Sequence, residues 1–276
     1  MAIGLELLVF LAALGAGAFG ALLGVGGGLI MVPLLAAFLG VEIHLAIAAS
    51  LLGVIAVSTV ASTTYLERGL ADRRLGLTLL VATALGGVVG GYVAGLLDGR
   101  VRAGLFGLLM LVVAGQMARR PGRPVAEAID APGRLEFDSA YLEPTSGERV
   151  AYRARRVGLG SAISVGAGAL SGLLGIGGGV VNVPTLNVLM GIPIRVATTT
   201  STYMLGATAA ASAIIYYSRG QIDPLLAAPV VVGVLIGARI GARLATRVEQ
   251  RTLQLGFAAV AVLFAAQMLW RAWTGG

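Results

Sequence analysis

Residues 172–184 read GLLGIGGGVVNVP, an apolar segment that contains five glycines, an asparagine and a proline. Glycine and proline are the residues least suited to an uninterrupted helix. A closely similar string, GALLGVGGGLIMVP, occupies residues 20–33. The sequence therefore predicts two apolar segments that are broken in the same manner, one in each half of the chain.

The composition is that of a membrane protein. Of the 276 residues, 57% are hydrophobic and 12% are charged, whereas a soluble domain carries about 25% charged residues. A helix needs about 20 predominantly apolar residues to cross a bilayer. Eight runs approach or exceed this length, and they predict an all-α polytopic membrane protein. The runs are residues 3–23, 44–66, 75–97, 103–118, 158–174, 195–218, 224–245 and 253–270.

Several chemistries are excluded by the residues that are absent. The chain has no cysteine and a single histidine, His44, which excludes disulfides, cysteine nucleophiles and multi-histidine metal sites. It has no HExxH or GxSxG motif and no paired membrane aspartates. We therefore predict neither an enzyme nor a bound metal or cofactor. Every basic residue is an arginine near an apolar run or in a loop. We therefore interpret the net charge of +7 as cytoplasmic arginines that face anionic lipid, and not as a nucleic-acid binding surface.

The two halves of the chain are copies of one unit. With a shift of 151 positions, residues 15–118 align with 166–269 without a gap, and 32 of the 104 pairs are identical. The identities include proline, aspartate, arginine, tyrosine and glutamine, which biased composition alone would not place in register. The apolar N-terminus belongs to this repeat and lacks the basic region of a signal peptide, so we interpret it as structure. The predicted units are a first membrane repeat (1–118), a linker loop (119–157) and a second membrane repeat (158–276).

Each unit is predicted to contain five helices. The second of them, residues 28–39 in the first half, is about 18 Å long and too short for a hydrocarbon core of about 30 Å. We interpret it as the returning arm of a broken or re-entrant helical hairpin with the GxGGG string at its tip. Three full spans follow this hairpin, so each unit ends on the side opposite its start. Two such units in tandem are therefore inverted relative to each other.

The arginines predict the orientation. With the 119–157 loop in the cytoplasm, 16 of the 20 arginines lie on that side, as the positive-inside rule requires. This predicts a multi-pass protein of the prokaryotic plasma membrane with both termini outside. Within the loop, LEFDSAYLE, PTSG and ERVAYRA fit a β-hairpin and a charged linker equally well.

The glycine strings have two interpretations. In hydrocarbon, irregular backbone is tolerated only inside protein or beside a wet cavity, and matching breaks in two repeats point to a transporter binding site. The first N–H groups of each short helix lack intrahelical partners and carry the positive end of the helix dipole, which favours an anion. Glycine also allows close helix packing, the interpretation we give to Gly20/Gly24, Gly86/Gly90 and Gly237/Gly241. The tip residues assigned to the anion site are Gly26, Gly27, Gly28, Gly177, Gly178 and Gly179.

Polar side chains near the second string extend the predicted site. Asn182 lies three residues beyond the triple glycine, where its amide either donates to a bound oxyanion or makes a cap or interhelical hydrogen bond. Residues 198–202 read TTTST, a hydroxyl run in which some side chains should line a polar cavity instead of bonding back to their own helix. We predict anion contacts from Ser50, Thr200, Ser201 and Tyr203.

Other polar residues receive structural interpretations. Asp72 and Asp223 precede helices and are predicted to cap them. Asn187 lies deeper in the short helix and is interpreted as a hydrogen-bonding partner within the fold. His44 and Arg195 occupy the same repeat position, where they either anchor a helix at the membrane interface or attract an anion to their own side.

Taken together, these motifs resemble the TauE/SafE family of membrane permeases, also called sulfite exporters. The resemblance rests on a G-x-G-G-G-x-x-x-V-P string in each half and on GIPIRVATTTS at residues 191–201, and it covers nearly the whole chain apart from the central loop. It implies transport of sulfur-containing anions such as sulfite and organosulfonates. The first half departs from the pattern after its proline, with Leu34 and Ala36 in place of Thr185 and Asn187. The second half is therefore the expected source of side-chain contacts.

The sequence thus predicts a secondary transporter that moves a small, sulfur-containing anion by alternating access. The predicted partners are this anion and the lipid bilayer, and a homo-oligomer is compatible with the sequence. A passive anion channel on the same scaffold is the alternative function.

Overall fold

The computed structural model describes residues 3–23, 25–118, 137–143, 147–244 and 250–274. Each of the eight predicted apolar runs coincides with a helix, and the ends agree to within a few residues. The first half contains α1 (Ile3–Leu23), α2 (Gly28–Pro33), α3 (Ile43–Glu67), α4 (Arg73–Ala94) and α5 (Gly99–Ala118). The strands β1 (Asp138–Leu142) and β2 (Arg149–Arg153) follow. The second half contains α6 (Val157–Leu174), α7 (Gly179–Pro184), α8 (Ile194–Ser218), α9 (Pro224–Leu244) and α10 (Gln250–Thr274).

Most of the long helices are suited to a bilayer. Among the residues that the structure describes, α3, α4, α5, α6 and α9 are long and apolar enough to cross a membrane. The other predicted spans, α1, α8 and α10, have 21, 25 and 25 residues. The hydroxyl run at residues 198–202 makes α8 less apolar than its counterpart α3. The chain is therefore a helical membrane protein.

The glycine strings lead into two short helices of common design. α2 and α7 contain six residues each and end at Pro33 and Pro184. The chain then continues as a π-helical turn over Leu34–Phe38 and over Thr185–Leu189. Proline removes a backbone donor and clashes with the preceding turn, so the helix widens at this point. Even with the π turn, each short helix spans only about 16 Å.

Helices of one half pack against helices of the other. α1 lies along α9, α4 along α6 and α5 along α10, while α3 packs against α8. Glycines allow the close approach of these helices, as predicted for the glycine pairs Gly86/Gly90 and Gly237/Gly241. A β-carbon at Gly86 or Gly90 would overlap backbone carbonyl oxygens of α6. Gly237 and Gly241 meet the backbone of α1 in the same way.

The central segment contains an antiparallel β-hairpin, one of the two predicted alternatives. β1 pairs with β2 so that Ala140 lies opposite Ala151. The hydroxyl of Tyr152 donates to Oδ2 of Asp72 at 3.0 Å, and Nε of Arg195 lies 3.3 Å from Oε1 of Glu143. The hairpin therefore contacts both halves at one end of the bundle. The rest of the predicted loop, at 119–136 and 144–146, lies outside the described residues.

Asp72 accepts hydrogen bonds from both α4 and the β-hairpin. Its Oδ1 accepts a hydrogen bond from the backbone N–H of Leu75 at 3.0 Å, which confirms the predicted cap of α4. Asp223 likewise accepts from the N–H of Leu225 at 2.9 Å and caps α9. Burial, and then the negative charge of Asp72, raise the pKa of the Tyr152 hydroxyl. Tyr152 therefore stays protonated and remains a donor.

Two equivalent tyrosines fasten α3 and α8 to the helices that precede the tips. Tyr65 donates to the carbonyl oxygen of Ala21 at 2.8 Å, and Tyr216 donates to that of Gly172 at 3.0 Å. We expect Tyr216→Phe to lower the free energy of unfolding by about 0.5–1.5 kcal/mol, because one buried hydrogen bond is lost. The neighbouring Tyr217 is 74% exposed, so Tyr217→Phe is the control. Equal unfolding midpoints for both variants in detergent would contradict this role.

Candidate functional site

The two glycine tips meet inside the bundle. The first tip (Val25–Gly28) and the second tip (Ile176–Gly179) are buried throughout. A β-carbon at Gly28 would overlap the carbonyl oxygen of Gly175 and would lie 2.8 Å from Oγ of Ser50. The Ser50 hydroxyl itself donates to that same carbonyl at 2.7 Å. The structure therefore brings together the predicted residues Gly28 and Ser50 and the start of the second tip.

Successive glycines of a tip meet different surroundings. Gly26 and Gly177 both have φ +81°, and both face the same two aliphatic side chains, Val54 and Leu205. These two side chains are themselves equivalent in the repeat. A side chain at either glycine would need a left-handed backbone conformation and would also displace this pair.

The middle glycines face the helices that lead into the tips. Gly27 and Gly178 have φ +74° and +79°. A β-carbon would lie 2.8 Å from the carbonyl oxygen of Ala16 at the first position and 3.0 Å from that of Ala167 at the second. Gly20, predicted to serve helix packing, lies against the backbone of Gly27, and Gly24 is outside the described residues.

The tips present backbone N–H groups that the fold leaves unpaired. Intrahelical bonding begins only with the N–H groups of residues 30 and 31, and of residues 181 and 182, which reach the carbonyls of Gly27 and Gly178 at 3.1 Å. The three N–H groups that precede each of these pairs have no acceptor within the described ranges, and they add to the positive helix end. They belong to Gly27, Gly28, Leu29, Gly178, Gly179 and Val180.

Buried side chains near the second tip also lack partners. Both amide atoms of Asn182 and the hydroxyl of Ser201 have no hydrogen-bond partner among the described residues, although these residues are 1% and 0% exposed. An unsatisfied buried polar group costs about 1–3 kcal/mol. Such groups call for a specific explanation, for which a bound polar ligand is one candidate.

Ser171 is a polar residue beside the tip that the sequence prediction missed. Its hydroxyl is buried and also has no partner in the described part of the chain. A β-carbon at Gly178 would lie 3.5 Å from Cβ of Ser171. Ser171 replaces Gly20 in the repeat alignment, and that substitution is the signal that could have identified it.

The equivalent serines of the two halves provide a matched test. Ser50 donates to Gly175, whereas Ser201 has no partner among the described residues. We expect Ser50→Ala to lower the free energy of unfolding by about 0.5–1.5 kcal/mol, and Ser201→Ala to leave it unchanged or raise it. Chemical unfolding of both variants in the same detergent measures the difference. Equal destabilisation by both would mean that Ser201 also has a structural partner.

Thr200 and Tyr203 face the beginning of α4. The backbone N–H of Asp72 donates to Oγ1 of Thr200 at 2.9 Å. A β-carbon at Gly76 would lie 2.9 Å from the ring of Tyr203. The neighbouring Thr199 donates to the carbonyl of Leu70 at 2.6 Å. These contacts give this part of the hydroxyl run a structural role in joining the two halves.

The remaining predicted residues have identifiable partners. Nδ2 of Asn187 donates to the carbonyl of Ile192 at 2.8 Å, which confirms its structural interpretation. Nε2 of His44 lies 3.3 Å from Oε2 of Glu42, at the start of α3, while its counterpart Arg195 pairs with the β-hairpin. Across the described ranges, no group of three His, Cys, Asp or Glu side chains could hold a metal ion.

A polytopic bundle of apolar helices with two interrupted short helices at its centre has the features expected of a membrane transporter. The family model for sulfite exporter TauE/SafE matches residues 9–268. The chain therefore belongs to the TauE/SafE family of membrane transporters, as its motifs indicated.

Relatives of this family resemble the chain over nearly its whole length. The probable membrane transporter protein YunE of Bacillus subtilis (strain 168) is 28% identical over 263 residues, which are 92% of this chain and 94% of that protein. A probable membrane transporter protein of Xylella fastidiosa (strain 9a5c) is 28% identical over 256 residues, or 91% and 90% of the two chains. No solved structure gives a significant match.

Proposed function

We propose that the protein is a secondary transporter that moves a small sulfur-containing oxyanion, such as sulfite or an organosulfonate, across the plasma membrane. The observation that carries the proposal is the set of backbone N–H groups at residues 27–29 and 178–180, where the two buried tips lead into the short helices. These N–H groups have no acceptor in the described part of the chain. Asn182 and Ser201 add polar atoms that have no partner among the described residues. Backbone donors at a helix start favour an anion without any charged side chain, and the sulfur chemistry follows from the family.

The proposal includes two inverted five-helix repeats. Equivalent contacts recur in both halves. Tyr65 donates to Ala21, and Tyr216 donates to Gly172, which corresponds to Ala21 in the repeat. The first helix of each half packs against the fourth helix of the other half, α1 against α9 and α6 against α4. Such an exchange of partners is expected when two copies of one unit are related by a pseudo-two-fold axis, which for inverted repeats lies in the membrane plane. The arginine distribution supports an orientation with the β-hairpin in the cytoplasm and both termini outside.

Anion binding requires the tips to separate. The backbone of Gly28 lies so close to the carbonyl of Gly175 that not even a β-carbon fits, and Val54 and Leu205 cover Gly26 and Gly177. In the proposed cycle this conformation is an occluded state, because the two tips are closed against each other. Rocking of one repeat against the other would expose them first to one side and then to the other, which is alternating access.

Transport in proteoliposomes tests the function. Purified protein in liposomes should take up radiolabelled sulfite or methanesulfonate, saturate at modest flux and exchange external for internal anion. Large single-channel currents would instead establish the alternative, a passive anion channel. Absence of flux with sulfite, sulfate, thiosulfate and sulfonates, from vesicles that contain correctly folded protein, would contradict a sulfur-anion carrier.

The β-hairpin should hold its end of the bundle closed, since it contacts Asp72 of one half and Arg195 of the other. Tyr152→Phe removes the hydrogen bond to Asp72, which contributes about 1 kcal/mol. We therefore expect the open population of that end, and with it the rate of labelling, to rise about fivefold. The chain has no cysteine, so Ala197→Cys, at a position that is 0% exposed, can report this opening through maleimide labelling. The exposed Arg149 provides the control, Arg149→Gln. Equal labelling rates in both backgrounds would show that the hairpin does not restrain this end.

A further inference from the structure

A cavity of about 520 Å³ opens at the end of the bundle opposite the β-hairpin. The two ends are separated by the length of α3, which begins at Ile43 in the cavity wall and ends just before Leu70 and Asp72, beside the hairpin. α5 begins and α10 ends at the same cavity. The polar residues of its lining are Glu42, His44, Asp98, Arg100, Arg102 and Arg271.

The charges of the cavity are arranged by depth. Glu42, Asp98 and Arg100 are exposed, whereas His44, Arg102 and Arg271 are half-buried. The more deeply placed groups are therefore all basic. The lining holds three guanidinium groups against two carboxylates, and the low-dielectric wall of a cleft strengthens the field of such charges.

Arg102 has a donor that the fold leaves unpaired. Its Nε is buried and has no hydrogen-bond partner in the described part of the chain. A buried N–H of a cation is costly to leave unpaired. Guanidinium groups make their strongest hydrogen bonds with carboxylate, phosphate and similar oxyanions, because two donors match two oxygens. A sulfonate or sulfite has the oxygen geometry that this group prefers.

The equivalent position at the other end is covered. His44, in this cavity, corresponds in the repeat to Arg195, whose guanidinium is paired with Glu143 beside the hairpin. The cavity at the His44 end therefore remains open to approach from solution, while the hairpin occupies the other end.

We propose that this cavity is an anion-recruitment site, in which Arg102, assisted by the charges of Arg100 and Arg271, binds the oxyanion before it reaches the glycine tips. Its role in delivering the anion rests on the proposed transport function, but binding in the cavity does not. The cavity should prefer compact oxyanions such as sulfonates over chloride, because they can accept from a guanidinium at two oxygens.

Thermal unfolding of the purified full-length protein tests binding. All variants carry Asn182→Leu, so that binding at the tips contributes little, and methanesulfonate is compared with chloride at equal ionic strength. We expect methanesulfonate to stabilise this background and Arg102→Gln to weaken its apparent affinity about fivefold, which corresponds to about 1 kcal/mol. Arg102→Lys should retain part of the effect. Arg74→Gln, which removes one exposed charge near the hairpin end, should behave like the background.

The outcomes separate the two proposals. If Arg102→Gln and Arg74→Gln respond to methanesulfonate alike, the recruitment site is overturned, whatever the protein transports. If phosphatidylglycerol alone stabilises the protein through Arg102, the cavity binds a lipid headgroup and the solute site is equally overturned. If methanesulfonate binds through Arg102 while the wild-type protein moves no anion in vesicles, anion binding in the cavity is supported and the proposed transport function is contradicted. Binding together with a raised KM for transport in Arg102→Gln would support both.

Discussion

Asn182→Leu should reduce anion transport severely and leave the protein at least as stable as the wild type. The amide is 1% exposed, and neither of its polar atoms has a partner among the described residues. Leucine of similar size removes an unsatisfied group that costs about 1–3 kcal/mol. If the missing partner is the transported anion, the variant loses a hydrogen bond to a charged group, which contributes about 1.5–3 kcal/mol. We therefore expect KM to rise about ten- to hundredfold in proteoliposome uptake.

Asn187→Leu is the matched control for this experiment. Asn187 lies in the same helical arm, but its Nδ2 is bonded to the carbonyl of Ile192 at 2.8 Å. This variant should lose stability and keep the KM of wild type, the opposite pattern to that of Asn182→Leu. A loss of stability in Asn182→Leu with normal transport would identify the amide as structural and would remove it from the anion site.

Gly90→Ala should destabilise the protein more than any single loss of a hydrogen bond proposed above. A β-carbon at Gly90 would lie 2.8 Å from Cα of Ala169 and would overlap its carbonyl oxygen. Backbone atoms cannot rotate away as a side chain can, so α4 and α6 must separate. Overpacking costs about 1–3 kcal/mol and occasionally more, and the expected loss lies at the upper end. The unfolding midpoint in detergent measures it.

Gly166→Ala is the control for helix packing. Gly166 lies in α6, and a β-carbon there would meet nothing within 4 Å. Because alanine favours a helix by about 0.5–1 kcal/mol relative to glycine, this variant should be neutral or slightly stabilised. Equal midpoints for Gly90→Ala and Gly166→Ala would show that α4 and α6 can part without cost.

The predicted helices agree with the structure because they arise from a local property. A long apolar run in lipid must satisfy its backbone hydrogen bonds within itself, so α1 and α9, for example, have nearly the predicted bounds. The π turn after Pro33 was not predicted. The widening of the helix depends on how the surrounding chain accommodates one proline. The spacing of apolar residues does not indicate whether the helix widens or ends at that proline.

The site was predictable only in part. The glycine triplets identified the tips, since consecutive glycines in an apolar segment indicate irregular backbone. The predicted anion contacts of Thr200 and Tyr203 follow from their place in a hydroxyl run. The structure adds which groups pack against them, namely Asp72 at the start of α4 and Gly76 within it. A hydroxyl in a buried helix bonds to whichever polar group packs against it, and that group comes from a distant part of the chain.

The sequence by itself determined the class of protein, the positions of the helices, the similarity of the two halves and the two broken strings. Each of these follows from the composition or spacing of residues that are near one another in the chain, or from comparison of the chain with itself. Only the tertiary structure decided that Gly28 meets Gly175 and that Arg102 lines an open cavity. It also decided that Ser50 has a hydrogen-bond partner while Asn182 and Ser201 have none among the described residues. These features depend on which surfaces of distant helices come into contact. The contacts of Ser50 with Gly175 and of Asp72 with Thr200 join residues that are more than a hundred positions apart in the chain.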